Sequence, residues 1–174
     1  NVPNVPGVPV NAEPIEGTTY EVPIGAASAD AGARPAYGVE RCFLVRAARA
    51  STGASVESAA AGPVCVTPAD VFPPPAPANL TAVASEGAMS LIWDAVDAED
   101  LAGYLVLRGE AAGDTLAAQV ELAPLFAAPI TDARYKDTTI EAGKRYVYAV
   151  VAVDTAAPAN RSAESNRVEE TGRQ

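Results

Sequence analysis

The chain has 174 residues, 22 acidic against 12 basic side chains for a formal net charge of −10, no histidine and two cysteines. Nucleic acid and anionic membrane surfaces need clustered Lys and Arg, so this balance excludes both as partners. Without histidine there is no Ser-His or Cys-His nucleophile and no imidazole-based zinc site, and no apolar run approaches the roughly 20 residues of a membrane-spanning helix.

In chain order, Asn1-Val2-Pro3-Asn4-Val5-Pro6-Gly7-Val8-Pro9-Val10 is proline-punctuated and extended, without the basic, apolar, small-residue order of a secretory leader. An opening on Asn1 instead of Met marks a processed or excised product, or one whose upstream part is missing. Thr18-Thr19-Tyr20-Glu21 has strand composition, an Ala/Gly-rich stretch fills 25–33, and 38–48 reads as a longer strand. A hairpin turning around Ser51-Thr52-Gly53-Ala54 sets Cys42 opposite Cys65, which predicts a cross-strand disulfide; two buried free thiols are the alternative. Closing such a loop stabilises a small unit by about 3 kcal/mol. A disulfide persists in oxidising compartments, which predicts an extracellular, cell-surface or otherwise secreted location.

Pro73-Pro74-Pro75-Ala76-Pro77 cannot donate ladder hydrogen bonds and forms a stiff linker. It divides the chain into a unit at 1–72, the linker 73–77, a second unit at 78–170 and a tail at 171–174. Beyond it, strands are predicted at 79–85, at 88–93 with Trp93 facing the core, and at 101–108. In the last, Tyr104, Val106 and Arg108 share one face while Leu105 and Leu107 share the other. A short edge strand at 116–122 precedes an irregular crossing at 123–130, then come strands at 134–140, 145–154 and 160–169. Short strands with turn signals about every ten residues and no helical periodicity predict an all-β, antiparallel sandwich. Aromatic residues are 6% of the chain, so its core needs a few large side chains among many small ones.

Residues 77–170 resemble a fibronectin type III domain, an immunoglobulin-like sandwich. The resemblance rests on Trp93, on Gly103-Tyr104-x-Val106-x-Arg108, on Tyr135-x-Asp137-Thr138 leading to Gly143, on Tyr146-x-Tyr148-x-Val150-x-Ala152, and on Ser162 with Ser165. It implies that Trp93, Tyr104, Tyr135, Tyr146 and Tyr148 are structural core residues and that Tyr146 is the corner tyrosine, bonded back to nearby backbone. The upstream residues match only the second half of this pattern. Thr18 to Glu21 align with the fifth strand, Gly38 to Ala48 with Gly143 to Val153, and Val56-Glu57-Ser58 with Ala163-Glu164-Ser165; Arg41 stands where the corner tyrosine should be. The first copy is therefore an incomplete domain whose exposed apolar face and open edges must be completed by upstream strands or by a neighbouring chain.

Chemistry beyond this is sparse. Asp97, Glu99 and Asp100 share one loop, but their spacing does not fit a twelve-residue calcium loop, so they read as a solvated turn and no metal is expected. Asn79-Leu80-Thr81 and Asn160-Arg161-Ser162 are acceptor patterns for N-glycosylation. Arg108-Gly109-Glu110 resembles the integrin-binding tripeptide of some members of the family, but it has the longer acid and directly follows a strand. No phosphate-cradling glycine motif is present, and no cofactor or catalytic residue is expected. These features predict a non-catalytic structural or interaction module of a surface assembly or filament, with self or neighbouring subunits as protein partners. The alternatives are a spacer in a secreted multidomain enzyme and an adhesion module for a protein or glycan.

Overall fold

The computed structural model describes residues 9–11, 13–22, 37–51 and 54–173. It divides into two compact units, Asn1–Asp70 and Val71–Gln174.

The second unit is a sandwich of two antiparallel sheets. One contains β5 (Thr81–Ser85), β6 (Ala88–Ile92) and β9 (Arg134–Asp137) in the order β5-β6-β9. The other contains β7 (Leu101–Ala111), β8 (Ala123–Pro124), β10 (Arg145–Asp154) and β11 (Val168–Thr171) in the order β11-β10-β7-β8. β7 and β10 share the longest ladder, from Arg145↔Ala111 to Asp154↔Leu101. Alternate residues of each strand face inward, and the core between the sheets unites Leu80, Met89, Leu91, Trp93, Tyr104, Val106, Tyr146, Tyr148 and Val150. Trp93 meets Tyr104 edge-on, with ring centroids 5.4 Å apart. Tyr135 is only half-buried and packs from the side against this core and against Phe126.

The opposite face of the four-stranded sheet is covered as well. Leu105, Leu107, Val151 and Val153 form a second buried cluster under Leu122 and Phe126, and Ala111 and Val147 a third under Val120 and Ala117. The cover is the connection from β7 to β9, where the expected edge strand at 116–122 is replaced by a 3-10 turn at Ala117–Gln119. Ala123 and Pro124 pair with β7 as the short β8, and Ile130 makes an isolated bridge to Tyr104. Two arginines hold the cover by its carbonyl oxygens: Arg167 donates to Ala117 and Val120, each at 2.9 Å, and Arg145 donates to Gly113 and Thr115. Backbone carbonyls with no strand partner are satisfied in this way, and so this segment needs no ladder. Gly109 lies directly beneath it, and a Cβ there would overlap Glu121 O and Val120 Cγ1.

Two other expected strands also differ. The strand at 134–140 ends at Asp137, because its side chain caps the next turn by accepting the Thr139 N–H. Along 160–167 the ladder to β10 is partly made by side chains: the Ser162 and Ser165 hydroxyls accept the N–H groups of Ala152 and Val150, and regular pairing begins only at Val168. At the other end pairing runs beyond 170, where Gly172 N–H donates to Lys144 O and Gly87 N–H to Arg173 O.

The first unit contains a twisted hairpin ribbon. β1 (Arg41–Val45) pairs with β4 (Ala61–Val66), and β2 (Ala48–Ser51) with β3 (Ala54–Glu57). The strand expected at 38–48 is thus two strands. The offset between them is absorbed on the β4 side at Gly62, whose φ of +110° favours glycine. Thr18 to Glu21 form no strand. The Ala/Gly-rich stretch 25–33 and the turn residues Thr52 and Gly53 lie outside the described residues.

Candidate functional site

The ribbon of the first unit shares pairing features with β10 and the chain returning beside it. Cys42 faces Cys65, and their sulfurs are bonded at 2.02 Å. Ala47 N–H donates to Ser58 Oγ and Ser58 N–H to Ala47 O, which is the reciprocal arrangement that Ser162 makes with Ala152. This corrects the alignment of Ser58 with Ser165: on the returning strand Ser58 takes the place of Ser162, and Cys65 that of Glu169.

In that register Phe43 corresponds to Tyr148, Val45 to Val150 and Val64 to Val168. In the second unit Tyr148 and Val150 are fully buried beneath the β5-β6-β9 sheet. In the first unit Val45 is 70% exposed and Val64 66% exposed, Val66 is also exposed, and Phe43 is half-buried. The face equivalent to the second unit's core therefore exposes Val45, Val64 and Val66, and the far edge of β1, where β7 stands beside β10 in the second unit, carries no strand among the described residues. The disulfide is on the opposite face, because Cys42 alternates with Arg41 and Phe43.

The second unit uses its polar residues internally. Asp137 is fully buried and accepts four hydrogen bonds: from Arg108 Nη1 at 2.8 Å, Tyr148 OH at 2.9 Å, Thr139 N–H at 2.9 Å and Thr139 Oγ1 at 2.7 Å. Burial alone would push its carboxyl up, but these donors outweigh burial and hold it below the ordinary aspartate value. Burial, then the bond to Asp137, push the Tyr148 hydroxyl above its usual value. The Arg108 guanidinium also stacks over the Tyr146 ring at 5.1 Å. Tyr146 OH accepts the Glu141 N–H at 3.0 Å, a bond that fixes the corner before β10.

Asp154, also buried, is held in the same way. Burial opposes its charge, while the Asn160 side chain and the N–H groups of Asn160 and Ala156 outweigh it and lower its pKa. The Asn160 amide is therefore engaged with Asp154, which disfavours it as a sugar acceptor. Asn79 is exposed but donates to Asp94 at 2.6 Å. The carboxylates of Asp97, Glu99 and Asp100 do not gather in one place. Arg108-Gly109-Glu110 belongs to β7 beneath the 120–122 cover and is no exposed loop. The Arg108–Asp137 pair was not singled out as a site from sequence, although both residues fall at inward positions of their strands, after Val106 and Tyr135, where a charge needs a partner.

No protein-family model matches the chain, and no curated protein matches it in sequence. In structure it is similar to an Fn3-like protein from Clostridium thermocellum, with 24% identity over 59% of this chain and 97% of that one, TM-score 0.44. It is similar to the fibronectin type III domain of human fibronectin type III domain containing protein 3, with 19% identity over 60% and 90%, TM-score 0.46. The FN1-FN3 domains of chicken CNTN1 align over 82% of this chain and 46% of theirs at 14% identity, TM-score 0.50. The chain has the fibronectin type III fold, an all-β antiparallel sandwich.

Proposed function

We propose that the chain is a non-catalytic structural and interaction module of an extracellular or cell-surface assembly. Its first unit is a half-sandwich that receives strands from a neighbouring subunit or from the upstream part of its own polypeptide. The observation that carries this reading is Val45, 70% exposed at the position where its counterpart Val150 is completely buried. An apolar sheet face beside an open strand edge favours association, since burial of each such side chain stabilises by about 1.5–3 kcal/mol. The Cys42–Cys65 bond supports an oxidising compartment. Of the two buried carboxylates, Asp137 accepts four hydrogen bonds from structural partners and Asp154 three, which supports a structural role for both.

A native mass spectrum of the 174-residue chain, read beside binding of an apolar dye, tests this. Ordered multimers that Val45→Asp dissolves place the missing strands in a neighbouring copy. A monomer that binds dye at this face, and loses that binding when the polypeptide is extended upstream, places them in the same chain. A monomer that binds no dye and is indifferent to Val45→Asp sinks the reading.

A further inference from the structure

The outer face of the β5-β6-β9 sheet carries a groove of about 810 Å³, on the side of the sandwich away from both buried clusters of the four-stranded sheet. Its floor is apolar: Val83 and Ile92 point outward and are 64% and 58% exposed. One wall is the crossing at 129–132, which is fixed to the other sheet by the reciprocal bonds of Ile130 and Tyr104. Along the groove stand Arg134 and Lys136, on alternate positions of β9 and hence about 7 Å apart on one face.

The two sides of the sandwich are finished differently. At β5 the turn into β6 is held by the Glu86↔Arg173 bridge and the Gly87 N–H to Arg173 O bond. β9 pairs with β6 alone and leaves an open edge. In a chain of net charge −10 the two cations here are nearly unneutralised. The only ion pair of Arg134 among the described residues is a 3.8 Å contact with Asp132, both about three-quarters exposed, and Lys136 has none. An exposed pair of that length contributes little. Cations at an open edge bar neutral and basic strands from adding to it, and by the same physics they admit an acidic one.

We propose that this groove binds an extended acidic peptide segment of a partner protein. Carboxylates on alternate residues of the segment, spaced like Arg134 and Lys136, pair with those two cations, and its apolar side chains cover Val83 and Ile92. Every residue of the site belongs to the second unit, so the proposal is tested separately from the completion of the first.

The test is an amide-shift NMR titration of the full chain with an acetylated octapeptide of alternating Glu and Val, with alternating Lys and Val as the control. The expected result is a set of shifts centred on Ser90, Ile92, Thr131, Arg134 and Lys136, from the acidic peptide only. Its affinity should fall about tenfold or more in Arg134→Glu/Lys136→Glu, whose exposed positions leave the core intact, and should weaken as salt is raised above about 0.1 M. Absence of shifts at these residues, equal binding of both peptides, or undiminished binding to the double variant overturns the proposal. The same shifts produced by protein concentration alone would make the occupant a second copy and overturn it too.

Discussion

Replacing Asp137 by alanine removes the acceptor of four hydrogen bonds at a completely buried site. Arg108, whose side chain is 24% exposed, keeps the Thr139 hydroxyl and the Tyr146 ring but loses its carboxylate, and the Tyr148 hydroxyl loses its acceptor inside the core. Breaking a buried pair from one side costs about 3–5 kcal/mol, because the surviving charge stays desolvated. For a unit of roughly 100 residues that lowers the melting midpoint by more than about 10 °C. Trp93 is the single tryptophan and sits in the core of the second unit, so its fluorescence during urea unfolding reports on this unit alone. The pH dependence carries an independent sign. The Asp137 carboxyl is held below its ordinary value in the folded state, so its contribution is complete above about pH 4 and is lost as pH falls through the lower folded value. Asp137→Asn should therefore flatten the acid limb of stability without abolishing it, since Asp154 is lowered in the same direction. A loss under about 1 kcal/mol in Asp137→Ala, or an unchanged acid limb in Asp137→Asn, would refute this reasoning.

Gly109→Ala drives a methyl group into Glu121 O and Val120 Cγ1, and should cost about 1–3 kcal/mol in urea unfolding while raising amide exchange across 117–122. Tyr146→Phe leaves the Glu141 N–H without its acceptor, and a loss of about 1–2 kcal/mol with no change in the Arg108 network is expected from thermal melts. Reduction of Cys42–Cys65, which closes a separation of 23 residues, should remove about 3 kcal/mol from the hairpin alone. Amide exchange over 41–66 would rise while the Trp93 unfolding midpoint stays fixed.

The elements that were legible in the sequence are those whose partners lie in the sequence. Leu101 to Arg108 and Arg145 to Asp154 read as strands because they are long apolar runs that pair with each other, and Cys42 faces Cys65 through a hairpin whose register is offset by the irregularity at Gly62. Asp97 to Asp100 likewise read as a turn. The segment at 112–133 was not legible as a cover, because its carbonyls are held by Arg145 and Arg167 from distant strands and no alternation is needed. Leu105 and Leu107 did carry a signal: large apolar residues on the face opposite Tyr104 and Val106 have to be covered by something. Thr18 to Glu21 have strand composition without a strand, since propensity forms a ladder only where a partner is supplied. The same limit explains Ser58. Its match to Ser165 or to Ser162 depends on the length of the connection between the paired strands, which composition does not encode.

The placement of the disulfide bears on how a half-sandwich can persist and still accept strands. An isolated two-stranded ribbon is marginal in water, and the covering sheet that steadies β10 and β11 in the second unit has no counterpart among the described residues of the first. A covalent bond on the core-equivalent face would fix the register but fill the surface that incoming strands must cover. Cys42 and Cys65 occupy the other face, at positions equivalent to Val147 and Glu169, so the bond fixes the register while Phe43, Val45 and Val64 stay available. Under the proposed completion, strands arriving at such a hairpin would meet a receptor already in its bound geometry, and the ordering cost of association would fall on the donor alone. A cystine in place of a Val–Glu pair supplies stability from outside the face on which that proposal depends.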